Sequence, residues 1–90
     1  MISEQRSAFR PIVDPNFVED LKYWTETDPR VAVKILKLIK HTLRDPLKGI
    51  GKPELLKALG AWSRRITQEH RFVYRVDKRE IHLLMCRYHY

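Results

Sequence analysis

The stretch Ala61-Trp-Ser-Arg-Arg-Ile-Thr67, followed by Glu69-His-Arg-Phe-Val-Tyr74, decides the fold of this 90-residue chain. Residues of alternating character run along both segments, which predicts two β-strands joined by a hairpin loop at residues 68–70. Pairing Ile66 with Phe72 across that loop places Trp62, Ile66, Phe72, Tyr74 and Val76 on one face. The opposite face then carries Arg65, Thr67, Arg71, Val73 and Arg75.

Further strands are predicted on both sides of this hairpin. Downstream, residues 77–80 predict a second turn, and the run Ile81 to Tyr88 predicts a last strand. Because that run is apolar on both sides, we expect it to be the central strand, covered on both faces. Upstream, Phe9 to Val13 predicts a short strand that Pro11 confines to an edge or to the strand's beginning, since proline cannot donate to a ladder. Lys48 to Pro53 predicts a loop.

Two Asp-Pro pairs predict where two helices begin. Asp14-Pro15 and Asp28-Pro29 each offer a capping carboxylate followed by proline at the first helical position. Apolar residues then recur at helical spacing, which predicts helices to about Glu26 and about Arg44. Their short connection folds them back as an antiparallel pair. The sequence therefore predicts a single α+β domain, β-α-α-β-β-β, with two antiparallel N-terminal helices packed on one face of a small, mainly antiparallel sheet.

Charge and composition narrow the range of functions. The chain has 18 Lys and Arg against 11 Asp and Glu, a net charge of +7, and the segment Arg30 to Lys57 contains only two acids. This excess predicts a polyanionic partner, either nucleic acid or an acidic protein. No apolar run approaches the roughly 18 residues of a membrane span, and Met1 to Arg10 lacks the apolar core of a secretory signal. We therefore expect a cytoplasmic protein, occupying residues 1–90 as one domain with residues 1–7 flexible.

Cysteine and histidine give little support for a metal site. The single Cys86 cannot form an internal disulfide, and it lies in an apolar run, which predicts a small buried side chain. His41, His70 and His82 are too dispersed to form a zinc-binding pattern. We expect no metal and no cofactor.

The second half of the chain carries the groups that cleavage of RNA by its own 2′-hydroxyl requires. That reaction needs a base for the hydroxyl, an acid for the departing 5′-oxygen, and cations for the charge on the phosphoryl oxygens. Glu54 is an isolated acid in a basic segment, Arg65 and Arg71 supply cations, and His89 can carry a proton near neutral pH. Each also has a plainer interpretation: Glu54 as an exposed loop acid or helix cap, the arginines as solubilising residues, and His89 as part of an unconstrained chain end.

Four motifs stand out together: Gly51-Lys-Pro-Glu-Leu-Leu-Lys57, Trp62-Ser-Arg-Arg-Ile-Thr67, Glu69-His-Arg-Phe-Val-Tyr74 and Cys86-Arg-Tyr-His-Tyr90. They resemble the Txe/YoeB family of toxins within the RelE superfamily, and the resemblance covers about Ile12 to Tyr90. It implies the toxin of a type II toxin-antitoxin pair, a ribosome-dependent endoribonuclease that cleaves mRNA in the ribosomal A site. It also implies roles for single residues: Glu54 as general base, His89 as general acid, Arg71 as main transition-state stabiliser assisted by Arg65, and Tyr90 within the site.

The same resemblance implies contacts and partners. Residues expected to contact RNA are Lys48, Lys52, Lys57, Arg64 and Tyr88. The expected partners are mRNA, the ribosome and a cognate acidic antitoxin of the YefM/Phd kind, and a homodimer is left open.

Two other functions fit parts of the sequence. The stripe Lys34, Lys37, His41 and Arg44 fits a non-catalytic basic module that holds RNA or a ribosome, for which Glu54 would be dispensable. A DNA-binding helix-turn-helix is disfavoured, because the second helix is long and broadly apolar and has lysines rather than base-reading side chains near its start.

Overall fold

Both helices begin where the Asp-Pro pairs predict. In the computed structural model, which describes residues 9–88, α1 spans Pro15–Thr27 and α2 spans Pro29–Arg44. A carboxylate oxygen of Asp14 accepts a hydrogen bond from the Asn16 backbone N–H at 2.8 Å, and Asp28 accepts one from the Arg30 backbone N–H at 3.3 Å. Each aspartate thus satisfies a backbone donor that the first helical turn leaves unpaired. The predicted flexibility of residues 1–7 concerns residues outside the described range.

Five strands form one mixed sheet in the order β1-β5-β4-β3-β2. Their bounds are Arg10–Val13 for β1, Glu54–Leu56 for β2, Ala61–Arg65 for β3, Arg71–Asp77 for β4 and Glu80–Met85 for β5. β1 pairs with β5 in parallel, and the other neighbours pair antiparallel. The α+β class, with two helices and a mainly antiparallel sheet, is confirmed, and β1 is the edge strand that Pro11 predicted.

The structure corrects the predicted position of the last strand and adds a strand to the sheet. The central strand is β4, not the last strand, and β5 lies between β1 and β4 with His82 and Leu84 only half-buried on its second face. The strand β2 was not predicted, because three residues are too few to show a period of two. A single 3₁₀ turn at Lys57–Leu59 connects it to β3.

The hairpin register differs from the predicted one by two residues. Phe72 pairs with Arg64 rather than with Ile66, and Tyr74 pairs with Trp62. The backbone N–H groups of Ile66 and Thr67 both donate to the His70 carbonyl, so these residues form part of the loop. Because side chains alternate with a period of two, a shift of two leaves each β4 residue on its predicted face.

One face of the sheet is covered by the helices. The core joins Phe17 and Trp24 of α1, Ile35 and Leu38 of α2, and the β4 residues Phe72 and Tyr74. Burying each such side chain stabilises the fold by about 1.5–3 kcal/mol. Within residues 9–88, neither helix is both long enough and apolar enough to cross a membrane. The second face of β2, β3 and β4, which we call the open face, carries the candidate site.

Candidate active site

Strand register brings three of the predicted catalytic side chains to the open face. Glu54 on β2 lies opposite Ser63 on β3, and Arg65 on β3 lies opposite Arg71 on β4. Ser63 and Arg65 are two residues apart and therefore point to the same side. Directly opposed side chains have Cβ atoms about 4.5–5.5 Å apart, and diagonal ones about 7–8 Å. Glu54, Arg65 and Arg71 thus lie on the same face of three neighbouring strands, with Arg65 on the middle strand.

The loop before β2 is tied down by Arg64. This side chain is 0% exposed, although it was expected to contact RNA. Its guanidinium donates to the carbonyls of Ile50 at 3.0 Å, Lys48 at 2.9 Å and Asp45 at 2.6 Å. The alternation of β3 places Arg64 on the helix-covered face, so all its strong contacts are with the protein itself. In this conformation it has no surface to offer a phosphate.

A buried hydroxyl completes this clamp. Arg64 Nε donates to the Tyr74 hydroxyl at 3.3 Å, and that hydroxyl donates to the Pro46 carbonyl. Burial raises the pKa of Tyr74, and the neighbouring Arg64 opposes the rise. Tyr74 therefore remains a neutral donor at physiological pH and holds the start of the same loop.

Arg71 is positioned by its own hairpin loop. Its Nη1 donates to the Thr67 carbonyl at 3.0 Å and to the His70 carbonyl at 3.2 Å. These carbonyl contacts fix the guanidinium at the start of β4, where Arg71 pairs with the exposed Arg65. The positive charge is thereby preorganised on the open face.

The segment that follows β5 returns to Arg71 at Tyr88. The Arg71 backbone N–H donates to the Tyr88 carbonyl, and the Tyr88 N–H donates to Nδ1 of His70, both at 2.8 Å. Tyr88 is 58% exposed, so its ring remains accessible for the RNA contact expected of it. The predicted acid His89 and the predicted site residue Tyr90 lie outside the described residues, and their roles stay predictions.

Three lysines expected to contact RNA surround β2. Lys48 and Lys52 are exposed on the preceding loop, and Lys57 is exposed at the start of the following 3₁₀ turn. They flank Glu54 in the chain at both ends of its strand. Because each ammonium is in water, each can approach a backbone phosphate without a desolvation cost within the protein.

Other chemistry is poorly supported in the described part of the chain. Burial raises the pKa of the Cys86 thiol to about 12, which keeps it protonated and unreactive, as expected of a small buried side chain. Asp77, Glu80 and His82 place ligand atoms within 4.8 Å of one another at the β4–β5 turn. There the hydrogen bond from Arg10 lowers the pKa of Glu80, and a divalent cation would have to compete with that arginine.

Sequence reasoning missed two residues of this region. Ser63 lies buried on the open face opposite Glu54, and its alternation with Arg65 was the available signal. The sequence indicates His70 only as a possible zinc ligand, although its position next to Arg71 in the hairpin loop places it beside the site. Its Nδ1 accepts the backbone N–H of Tyr88, the last of the described residues.

Known proteins match this chain over most of its length. Residues 13–90 match the model of the YoeB-like toxin of bacterial type II toxin-antitoxin systems. Toxin YoeB of Escherichia coli K12 is 54% identical over 74 residues, which cover 80% of this chain and 88% of the relative.

Solved structures agree with that match. A YoeB dimer from Staphylococcus aureus has a TM-score of 0.83 at 42% identity, covering 93% of this chain and 100% of that one. A heterotetrameric YoeB-YefM toxin-antitoxin complex from the same organism has a TM-score of 0.79 at 44% identity, covering 91% and 98%. The chain therefore belongs to the YoeB-like family of toxins of bacterial type II toxin-antitoxin systems.

Proposed function

We propose that this toxin is a ribosome-dependent endoribonuclease that cleaves mRNA in the ribosomal A site. The observation that carries the proposal is the register that groups Glu54, Arg65 and Arg71 on the open face. A carboxylate beside two guanidinium groups, with the penultimate histidine following directly on Tyr88, is the set of groups that RNA cleavage by the 2′-hydroxyl uses.

The reaction assigns one task to each group. Glu54 takes the proton of the ribose 2′-hydroxyl as its oxygen attacks the adjacent phosphorus. Arg71, assisted by Arg65, stabilises the negative charge that grows on the phosphoryl oxygens. His89 gives a proton to the 5′-oxygen as the phosphorus–oxygen bond breaks, and Tyr90 positions the substrate or His89. The products are a 2′,3′-cyclic phosphate upstream and a 5′-hydroxyl downstream.

The surroundings of the site support a polyanionic substrate and an acidic partner. Lys48, Lys52 and Lys57 would hold the RNA backbone, and Tyr88 would contact a base. A relative of the same family is described in complex with YefM, which supports a cognate antitoxin for this chain. The YoeB dimer from Staphylococcus aureus supports the proposal that this chain also forms a homodimer. Because the proposed cleavage of mRNA occurs on the ribosome, we infer that the protein acts in the cytoplasm.

A ribosome-programmed cleavage assay tests the reaction. We expect wild-type protein to cut A-site message in the presence of EDTA and to leave a 2′,3′-cyclic end. Glu54→Gln and His89→Gln should each slow cleavage by about 10²–10⁴-fold, the usual loss for a general base or acid. Glu19→Gln, which neutralises an exposed carboxylate on α1, is the matched control and should cut at the wild-type rate. Undiminished cleavage by Glu54→Gln would refute the base assignment.

One observation favours a second candidate, a basic module that binds RNA without cutting it. Lys37 and Arg44 are exposed on α2, away from the open face, and with His41 they form a basic stripe on that helix. For such a module Glu54→Gln would leave function intact or strengthen RNA binding, because a carboxylate only repels phosphate. Ribosome binding with no cleaved product from wild-type protein would favour it.

A further inference from the structure

We propose that His70, together with Trp24 and Asp20, positions the C-terminal end of the chain for cleavage. The inference rests on the proposed function, because it concerns the segment that leads into His89. These three residues come from α1 and from the β3–β4 loop, and they bind the backbone of residues 86 and 88. None of them would touch the RNA in this scheme, so they are positioning residues.

Cys86 is fixed from α1 through its backbone. Its N–H donates to a carboxylate oxygen of Asp20 at 3.0 Å, and its carbonyl accepts from Nε1 of Trp24 at 2.9 Å. Both Trp24 and the Cys86 side chain are buried. Because β5 ends at Met85, these two bonds hold the backbone of the first residue beyond the sheet. Side chains of α1 thus take the place of ladder bonds at both the N–H and the carbonyl of Cys86.

His70 binds the backbone of Tyr88, two residues after Cys86. Its ring meets the Trp24 indole edge-on, with centroids 4.8 Å apart and planes at 83°. Its Nδ1 accepts the Tyr88 backbone N–H at 2.8 Å. The imidazole therefore connects the buried tryptophan to the residue that immediately precedes His89.

The backbone at Tyr88 needs such support. Tyr88 has φ +69°, a left-handed conformation that a bulky side chain rarely adopts. Conformations of this kind persist where neighbouring contacts determine them. The Arg87 guanidinium lies 3.5 Å from the centroid of the Tyr23 ring and 4.6 Å from that of the Tyr88 ring, which adds a third anchor from α1.

The positioning role follows from where Tyr88 is held. Its carbonyl accepts from the Arg71 N–H, so the same residue is bonded to the proposed transition-state stabiliser and to His70. Losing the His70 acceptor leaves the fold's core intact but releases one of the two bonds that set the direction of the chain. A displacement of about 1 Å in a catalytic group can cost about 100-fold in rate.

Two substitutions at one position separate positioning from folding. His70→Leu keeps apolar bulk against Trp24 and removes the acceptor, whereas His70→Asn places an amide oxygen near the position of Nδ1. We expect His70→Leu to lower kcat for ribosome-programmed cleavage by about 10- to 100-fold with KM within about twofold. His70→Asn should restore kcat to within about fivefold of wild type. Thermal unfolding measured on both variants controls for stability.

Amide hydrogen exchange provides a readout that does not require cleavage. Exchange at the Tyr88 amide should accelerate at least about tenfold in His70→Leu and much less in His70→Asn, while core amides of β4 stay protected. If wild-type protein fails to cleave, the proposed function falls, whatever the exchange shows. If wild type cleaves and His70→Leu cleaves equally fast, or if His70→Asn gives no rescue, the positioning role is overturned.

Discussion

Two adjacent arginines, Arg64 and Arg65, have opposite environments because strand side chains alternate. Arg64 is buried and donates to three loop carbonyls, whereas Arg65 is exposed on the open face. A lysine at position 64 cannot reproduce the planar fork and would leave buried carbonyls without a donor. We expect Arg64→Lys to lower the free energy of unfolding by about 3 kcal/mol, measured by urea denaturation.

Arg65→Lys is the control for that prediction, since it makes the same chemical change one residue away. It should alter stability by less than about 0.5 kcal/mol, as exposed substitutions usually do, while slowing cleavage. Similar losses of stability in both variants would contradict the assignment of Arg64 as the clamp of the loop. The result would also decide whether any loss of activity in an Arg64 variant reflects RNA contact or loop order.

At the scale of elements, the position of β2 depends on a close approach at Gly51. Gly51 has φ +82°, and a Cβ there would lie 3.0 Å from Cβ of Arg64 and 3.2 Å from the Arg65 carbonyl. The Arg65 N–H donates to the Gly51 carbonyl at 2.7 Å, so the loop rests directly on β3. We expect Gly51→Ala to destabilise the fold by about 3 kcal/mol and to reduce cleavage by shifting Glu54 away from Arg71.

Gly60 offers the matched comparison for this element. It also has a left-handed φ, +61°, but a Cβ there meets no atom within 4 Å. Gly60→Ala should therefore cost only the backbone penalty, about 1 kcal/mol, and leave cleavage near the wild-type rate. The unfolding midpoint and the initial cleavage rate of both alanine variants provide the test. Equal values for the two variants would contradict the close approach at Gly51.

The elements differ in how far local sequence determines them. The helices were predictable because their caps are local, with Asp14 and Asp28 each bonding a backbone group two residues away. The hairpin was predictable in its faces but not in its pairing, because nothing local shows that Ile66 belongs to the loop. The strand β2 was not predictable, since its three residues depend on Arg64 and Gly51 holding the loop against β3.

At the scale of the whole molecule, the candidate site is also predictable only where local sequence determines it. The alternation on β3 and β4 places Arg65 and Arg71 on one face, and this much the sequence predicts. The pairing of Glu54 with Ser63 depends on long-range contacts, so the sequence could only suggest the carboxylate by its isolation among lysines. The family resemblance implies an RNA contact for Arg64, but burial, which the sequence motif does not report, removes it from the surface.

The molecule carries its positive charge on two sides, and RNA binding should use only one of them. Lys52 and Lys57 flank β2 beside Glu54, whereas Lys37 and Lys40 are exposed on α2, which packs on the covered side of the sheet. Replacing either pair by glutamine lowers the net charge of +7 by the same amount. A general attraction would therefore weaken equally in both variants, and only direct phosphate contacts can make them differ.

Salt dependence measures those contacts. With a 2′-O-methyl RNA oligonucleotide, which cannot be cleaved, the slope of log K against log salt concentration should fall in magnitude by about 0.7 for each phosphate contact removed. We expect the Lys52→Gln, Lys57→Gln variant to lose about 1.4 in slope and the Lys37→Gln, Lys40→Gln variant to keep the wild-type slope. The opposite pattern would place RNA on the helices, far from Glu54 and Arg71, and would favour the non-catalytic binding module over the nuclease.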